Sequence, residues 1–443
     1  MAALGVNLLF GAQIYFYSAH ASQKDDPYEN YRLLADVLEK VRQDYVDGDK
    51  LTYQDLIHMA LKGMLNGLDP HSEFMDAEKF DELKKDTEGE FGGLGIVVQM
   101  SKDKILTVVS PMEDSPGFRA GILPQDQIVK IDGKSTSRLG LEDAVKELRG
   151  EPGTSITITT RRPSTGQVKD YKLERAIIKV ETVKDINDKT EFPLLGKEVD
   201  DQTKNPLAEN NIGYVRITQF GEKTSDELDR ALKRLTQEGM KALIIDLRNN
   251  PGGLLEQAGH VCEKFLPRGK LVVSTEGRGT APVSEYLASG SGKRIDLPMA
   301  VLVNGNSASA AEIVSGCLQD YQNITHAIIV GEQTFGKGSV QSILPLADGS
   351  ALRLTTAKYY TPSHKVIHEH GITPDIIVPM TPTEEMDLQY KSMPGALDML
   401  DPKDRDRVEA VQDRQLDRAE DLLKGILLFS QRTTGPSRVA AIR

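Results

Sequence analysis

Three short segments of this chain carry residues whose types and spacing suit acyl transfer. The first, Ser307-Ala308-Ser309-Ala310-Ala311-Glu312, follows the apolar run Met299–Val303 and the turn Asn304-Gly305-Asn306, and it opens a helical run. A serine at a strand-to-helix turn exposes its hydroxyl where the next backbone N–H groups and the helix dipole converge, which suits a nucleophile facing a developing oxyanion. Ser307 or Ser309 would equally serve there as a plain helix cap. The second segment, Thr334-Phe335-Gly336-Lys337-Gly338-Ser339-Val340-Gln341, sets Lys337 between two glycines just past the apolar run 327–330. A lysine takes a serine's proton only when its amine is uncharged near neutral pH, a state that burial favours. Gln341 is spaced to hold that amine through its side-chain oxygen, and a solvated turn lysine is the alternative. The third segment, Asp246-Leu247-Arg248-Asn249-Asn250-Pro251-Gly252-Gly253, ends the strand 242–247, at the edge where open α/β sheets form ligand crevices. Its glycines offer unobstructed N–H groups, although Asn-Pro-Gly also marks ordinary turns.

Other chemistries fit less well. Gly331-x-x-x-x-Gly336-Lys337 is one position short of a phosphate-binding loop: Gly338 stands where a magnesium-ligating Ser or Thr belongs, and 340–345 alternates as a strand where a helix should begin. His364, His368 and His370 surround Glu369 without the His-Glu-x-x-His spacing of a zinc site and read as a solvated loop. A Ser/His/Asp triad stays open, because its members lie far apart in a chain.

These segments need a rigid scaffold, and the pattern around them supplies one. Ile212–Ile217, 242–247, Met299–Val303 and 327–330 are short apolar strands alternating with helices, which predicts an α/β core with a parallel or mixed sheet. Thr224 to Glu227 has the spacing of a capping box before the apolar face Leu228, Ala231, Leu232 and Leu235. Between Phe91 and Ile178 the period changes to two, giving strands near 96–98, 105–109, 128–131 and 156–160 and one helix, Leu141–Leu148: a small β-rich domain. Residues 34–45 and 52–65 form two amphipathic helices, and 405–429 a helical tail. The apolar run 4–17, ending in Ala19-His20-Ala21, predicts an export signal or anchor, though no Lys or Arg precedes it.

Composition narrows the field. A chain of 443 residues has room for several domains, and its formal charge of −12 argues against a nucleic-acid footprint. With only Cys262 and Cys317, a disulfide framework and a four-cysteine zinc site are both excluded. A single bridge or two buried thiols remain.

The motifs together resemble the carboxyl-terminal processing, or tail-specific, proteases, a family of Ser/Lys-dyad serine proteases with a PDZ domain. Leu68-Asp69-Pro70-His71-Ser72, the stretch from Gly89 to Ile96, Asp246 to Gly253, Ser307 to Ile313, Gln319-Asp320 and Thr334 to Gln341 occur in the family's order over nearly the whole chain. The resemblance implies Ser309 as nucleophile, Lys337 as its general base, Gln341 as the lysine's orienting partner, and an oxyanion hole from the N–H of Ala310 with that of Gly252 or Gly253. It implies no metal or other cofactor. The β-rich domain resembles a PDZ module, with Gly93, Leu94, Gly95 and Ile96 as the loop and strand that bind a terminal carboxylate by β-augmentation. The family also suggests that this module gates the active site, with Arg161 or Arg162 as the link to the core.

The fold class so implied is a multidomain α+β chain, with an α/β protease core of mixed sheet, an inserted β-rich PDZ domain and helical terminal segments. The expected divisions are 1–24 signal or anchor, 25–88 helical, 89–184 PDZ, 185–383 core and 384–443 helical tail. The expected function is a serine endopeptidase of the cell envelope, periplasmic or membrane-associated, that recognises the C-terminal tails of protein substrates. Its expected partners are those substrates, an adaptor or regulatory protein, and further copies of itself through the terminal helices. The alternatives are a non-catalytic PDZ peptide-binding scaffold and a P-loop-like nucleotide hydrolase. Two departures from the family pattern stand out: 321–326 makes the Ser309-to-Lys337 spacing about three residues longer, in a connection where the dyad is expected to survive it, and Pro124-Gln125 stands before Asp126 where relatives carry a glycine.

Overall fold

A computed structural model describes residues 27–434 apart from 102, 113–114, 164, 196–210, 280–283, 291–293, 393–396, 398–399 and 401. The predicted export segment and its Ala19-His20-Ala21 motif lie outside the described residues. Among the described residues no helix is long and apolar enough to cross a membrane. The chain divides into two compact units, Met1–Ala77 with Ile343–Leu354 and Glu78–Ser342 with Thr355–Arg443.

In the first unit, helices Pro27–Asp44 and Tyr53–Asn66 occupy the two amphipathic stretches. The second helix starts where Thr52 and Asp55 cap each other, Asp55 N–H donating to Thr52 Oγ1 at 3.1 Å and Thr52 N–H to Asp55 Oδ2 at 2.8 Å. Strand Glu73–Met75 pairs antiparallel with 351–353. Helix Pro27–Asp44 buries none of its residues and leaves Tyr31, Leu34 and Val37 exposed.

The second unit is built on a six-stranded sheet in the order Val183–Lys184, Ile212–Ile217, Ala242–Asp246, Met299–Val303, Ala327–Gly331 and Ile376–Ile377. The first strand runs antiparallel to its neighbour and the others are parallel, so the sheet is mixed. Both faces are covered, which is why these strands read as unbroken apolar runs. Side chains alternate: Val215, Ile245 and Val301 join the core with helices Thr224–Gln237, Leu255–Glu263 and Ala310–Asp320. Tyr214, Ile244 and Leu302 meet Ala419, Leu423 and Leu427 of helix Arg414–Thr434 on the opposite face.

The capping box predicted at Thr224 does not form. Lys223 is the cap residue, and the Glu227 carboxylate accepts instead from the Thr182 N–H and hydroxyl, both at 2.7 Å, and from the Val183 N–H at 3.1 Å. Buried amides on a packed neighbour must be given an acceptor, and this carboxylate supplies it instead of capping its own helix.

The β-rich domain has the strand order Ile96–Met100, Leu106–Pro111, Gln127–Ile131, Ser155–Arg161 and Val168–Glu174, with helix Leu141–Leu148 where the pattern put it. The last strand escapes sequence reading because only Tyr171 and Leu173 point inward among charged neighbours. Incoming strand Glu90–Gly93 and outgoing strand Ala176–Lys179 pair antiparallel, so the domain joins the core through a two-stranded ribbon. Arg162 does not reach toward the core: it forks onto the fully buried Asp126 at 2.7 and 2.8 Å, supplying the cation a buried carboxylate needs, while Arg161 bonds Gln127 Oε1.

Gln125 explains the altered turn. It adopts φ +72°, the left-handed region that glycine enters freely and other residues enter at a cost of roughly 1–2 kcal/mol. Gln125→Gly is therefore expected to raise unfolding free energy by about 0.5–1 kcal/mol, after allowing for glycine's greater unfolded-state entropy. Urea denaturation checks this, and a lower midpoint would contradict it.

Candidate active site

The turn after Met299–Val303 gives its two serines different surroundings. Ser307 is fully buried and its hydroxyl is engaged, accepting from Asn304 N–H at 3.0 Å and donating to the Leu247 carbonyl at 2.8 Å. Ser309, two residues on, is half-buried at the tip of the turn with φ +54° and ψ −113°. Such a conformation costs a non-glycine residue roughly 1–3 kcal/mol and persists only where surrounding contacts impose it.

Those contacts are identifiable. Ala308 N–H donates to the Asn250 carbonyl at 2.9 Å, and Gly252 packs so closely that a Cβ there would lie 2.7 Å from Ser309 Cβ and 3.0 Å from Ala310 N. Gly252 is thus required by space as well as by its φ of +100°. Its own N–H is spent on Asn250 Oδ1 at 2.8 Å. Of the oxyanion donors expected from the sequence, Gly253 and Ala310 are the two whose N–H groups carry no hydrogen bond among the described residues.

The lysine loop is held to the serine turn by a residue the sequence reading treated only as the start of a helix. Glu312 is completely buried, and its carboxylate accepts four hydrogen bonds. Ser309 N–H and Lys337 N–H donate to one oxygen at 2.8 and 2.9 Å, while Gly336 N–H and the Thr334 hydroxyl donate to the other at 2.7 and 2.6 Å. Burial pushes the Glu312 carboxyl above the ordinary glutamate range, and the four donors oppose that rise without cancelling it. Glutamate three residues after a serine was the available signal, but capping spacing alone does not reveal the second pair of donors.

Lys337 is half-buried. The glycines beside it are needed because the segment around His368 lies against them: a Cβ on Gly338 would sit 2.1 Å from His368 N, and Glu369 N–H donates to the Gly336 carbonyl at 2.8 Å. Gln341 lies on strand Ser339–Pro345 and donates to Ser339 Oγ at 3.1 Å and Thr355 Oγ1 at 3.0 Å. That strand follows Lys337 where a phosphate-binding loop requires a helix, which removes the nucleotide-hydrolase alternative. His364 stacks on Tyr360, His370 Nδ1 contacts the His368 carbonyl, and among the described residues no group of three or more His, Cys, Asp or Glu is placed to hold a metal. The additional residues before Ala327 coil into the short helix Gln322–Thr325, so Ala327–Gly331 keeps its register with Met299–Val303.

In the β-rich domain, Gly93, Leu94, Gly95 and Ile96 line a cavity of about 300 Å³ with Val98, Met112, Val145, Leu148 and Arg149. Strand Ile96–Met100 is the edge of its sheet, and the Arg149 guanidinium lies over the Phe91 ring, 4.5 Å from its centre.

Comparison with known proteins agrees with both halves. Residues 211–378 match peptidase family S41 and residues 107–162 match a PDZ domain. This makes the chain a serine peptidase carrying a PDZ domain. It is 43% identical over 379 residues to the carboxy-terminal-processing protease of Bartonella bacilliformis, covering 85% of this chain and 80% of that one. It is 35% identical over 363 residues to the carboxy-terminal processing protease of Bacillus subtilis, covering 80% and 71%, and 32% identical over 422 residues to the carboxyl-terminal-processing protease of a Synechocystis species, covering 90% and 92%. The chain belongs to the carboxy-terminal-processing protease family.

Proposed function

We propose that the chain binds the C-terminal tail of a protein substrate in the groove of its PDZ domain and cuts peptide bonds through an acyl-enzyme on Ser309. The observation carrying this reading is the single Glu312 oxygen that accepts from both the Ser309 and Lys337 amides. In the proposed cycle the Ser309 oxygen adds to the scissile carbonyl carbon and its proton passes to the neutral Lys337 amine. The N–H groups of Gly253 and Ala310 receive the oxyanion, and Lys337 returns the proton to the departing amine. Water, deprotonated by the same lysine, then adds to the acyl carbonyl carbon, the ester bond to Ser309 breaks, and the lysine's proton returns to the Ser309 oxygen. Gln341, fixed by Ser339 and Thr355, is the proposed orienting residue for the lysine.

A small serine-directed acylating probe tests this directly: it should label Ser309 in the wild type and not in Ser309→Ala. Absence of labelling in the folded wild type would favour the non-catalytic scaffold.

Tail capture rests on the edge strand Ile96–Met100, the glycines beside it, and the apolar lining of Leu94, Val98, Met112, Val145 and Leu148, which suit an apolar terminal side chain. Converting the terminal carboxylate of a bound peptide to a carboxamide should weaken binding by about 2 kcal/mol, roughly thirtyfold. Calorimetric titration measures this, and equal affinities would sink the carboxylate role. The proposal extends to self-association through helix Pro27–Asp44, which has no buried residue, and a monomeric mass in sedimentation equilibrium would refute it. It also places the chain in the cell envelope, on the strength of the apolar run 4–17, which subcellular fractionation checks.

A further inference from the structure

The loop carrying Gly252 and Gly253 is anchored from its far side by the C-terminal segment. Arg248 begins that loop with its side chain only 13% exposed, held between two carboxylates. Its Nε and Nη2 bond Asp246, with the shortest contact at 2.6 Å, and its Nη1 and Nη2 form a parallel fork onto Asp413 at 2.8 and 2.9 Å. Tyr214 donates its hydroxyl to Asp246 at 2.8 Å and completes the cluster. The next residue, Asn249, sits at φ +57° and gives its N–H to Asn304 Oδ1, while its own Oδ1 accepts from Asn304 and Asn306 in the serine turn. Asn250 then bonds the Ile217 carbonyl and the Gly252 N–H. Displacement of Arg248 would therefore pass through Asn249 and Asn250 to Gly252, the neighbour of the proposed oxyanion donor Gly253.

Asp413 has a second attachment: its Oδ1 accepts the Leu416 N–H at 3.0 Å, capping helix Arg414–Thr434, whose Ala419, Leu423 and Leu427 pack on the sheet. Glu385, from helix Pro382–Ser392, accepts from Asn304 at 3.2 Å. Two carboxylates of the C-terminal segment thus hold the two sides of the serine–glycine turn.

We propose that Asp413 is a positioning residue for the oxyanion loop, acting through Arg248, so that docking of the C-terminal helix sets catalytic competence. This rests on the acyl-enzyme reading of Ser309. Asp413→Asn in the full chain separates the roles, because asparagine caps helices about as well as aspartate but cannot offer Arg248 a charged two-oxygen fork. With active sites counted by the acylating probe, kcat per labelled site should fall about ten- to a hundredfold. The KM for a tail peptide and the affinity of the PDZ groove should be unchanged, and Asp413→Glu should recover most of the loss. Unchanged kcat per site in Asp413→Asn, or equal losses in kcat and tail affinity, would overturn the proposal even when the wild type is labelled. An unlabelled wild type would overturn the acyl-enzyme reading and this inference together.

Discussion

Replacing Lys337 with methionine is expected to lower kcat for cleavage of a tail peptide by about 10⁴-fold or more while leaving the tail's affinity for the PDZ groove intact. Methionine keeps most of the length and apolar stem of lysine, so it should fill the half-buried site beside Gly336 and Gly338 without disturbing the His368 segment packed on them. What it lacks is a nitrogen lone pair to take the Ser309 proton. Lys337→Arg should fail as well, since guanidinium does not release its proton in proteins. The effects of Ser309→Ala and Lys337→Met should not add, because two groups sharing one proton act as a unit. Discontinuous peptide assays with mass detection measure the residual rate. A Lys337→Met protein retaining a tenth of wild-type turnover would dismiss the lysine as base.

Glu312→Gln should produce the second largest effect, about a 10²- to 10³-fold drop in kcat. All four partners of the carboxylate are donors, from Ser309, Thr334, Gly336 and Lys337. An amide turns one acceptor into a donor facing two of them, so buried N–H groups must separate and the serine and lysine segments lose their common anchor. The pH dependence has a definite direction. Burial raises the Glu312 carboxyl in the folded state, so the folded protein binds that proton more tightly than the unfolded chain. Its contribution to stability is greatest below the ordinary glutamate range and declines as pH rises through the raised folded value. Protonation also removes an acceptor from the anchor, so the acid limb of kcat should lie above the ordinary glutamate range. That limb should vanish in Glu312→Gln. Persistence of the same limb in the variant would assign it elsewhere.

Local and medium-range features were legible from sequence because they follow from periodicity. Helix Leu141–Leu148 and strand Met299–Val303 end where pattern and turn residues place them. The choice between Ser307 and Ser309 rested on family resemblance at the sequence level, since both suit the same turn; the Leu247 carbonyl that occupies Ser307 is sixty residues away in the chain. Strand Val168–Glu174 was hidden by its outward charges. Glu312 and the Arg248–Asp413 fork were missed for one reason: their meaning depends on partners from other elements, 25 residues from Glu312 to Lys337 and 165 from Arg248 to Asp413. The misread capping box at Thr224 shows the converse, a local rule displaced by buried amides at Thr182 and Val183.

The two-stranded ribbon formed by Glu90–Gly93 and Ala176–Lys179 has a consequence for how such a chain diversifies. Its strands leave and rejoin the catalytic body about one strand spacing apart, roughly 4.8 Å. From the standpoint of the mixed sheet, everything between them is equivalent to a short surface loop. A different recognition head whose termini lie equally close can be grafted onto that stem, giving evolution or an engineer a way to retarget the blade without reforging it.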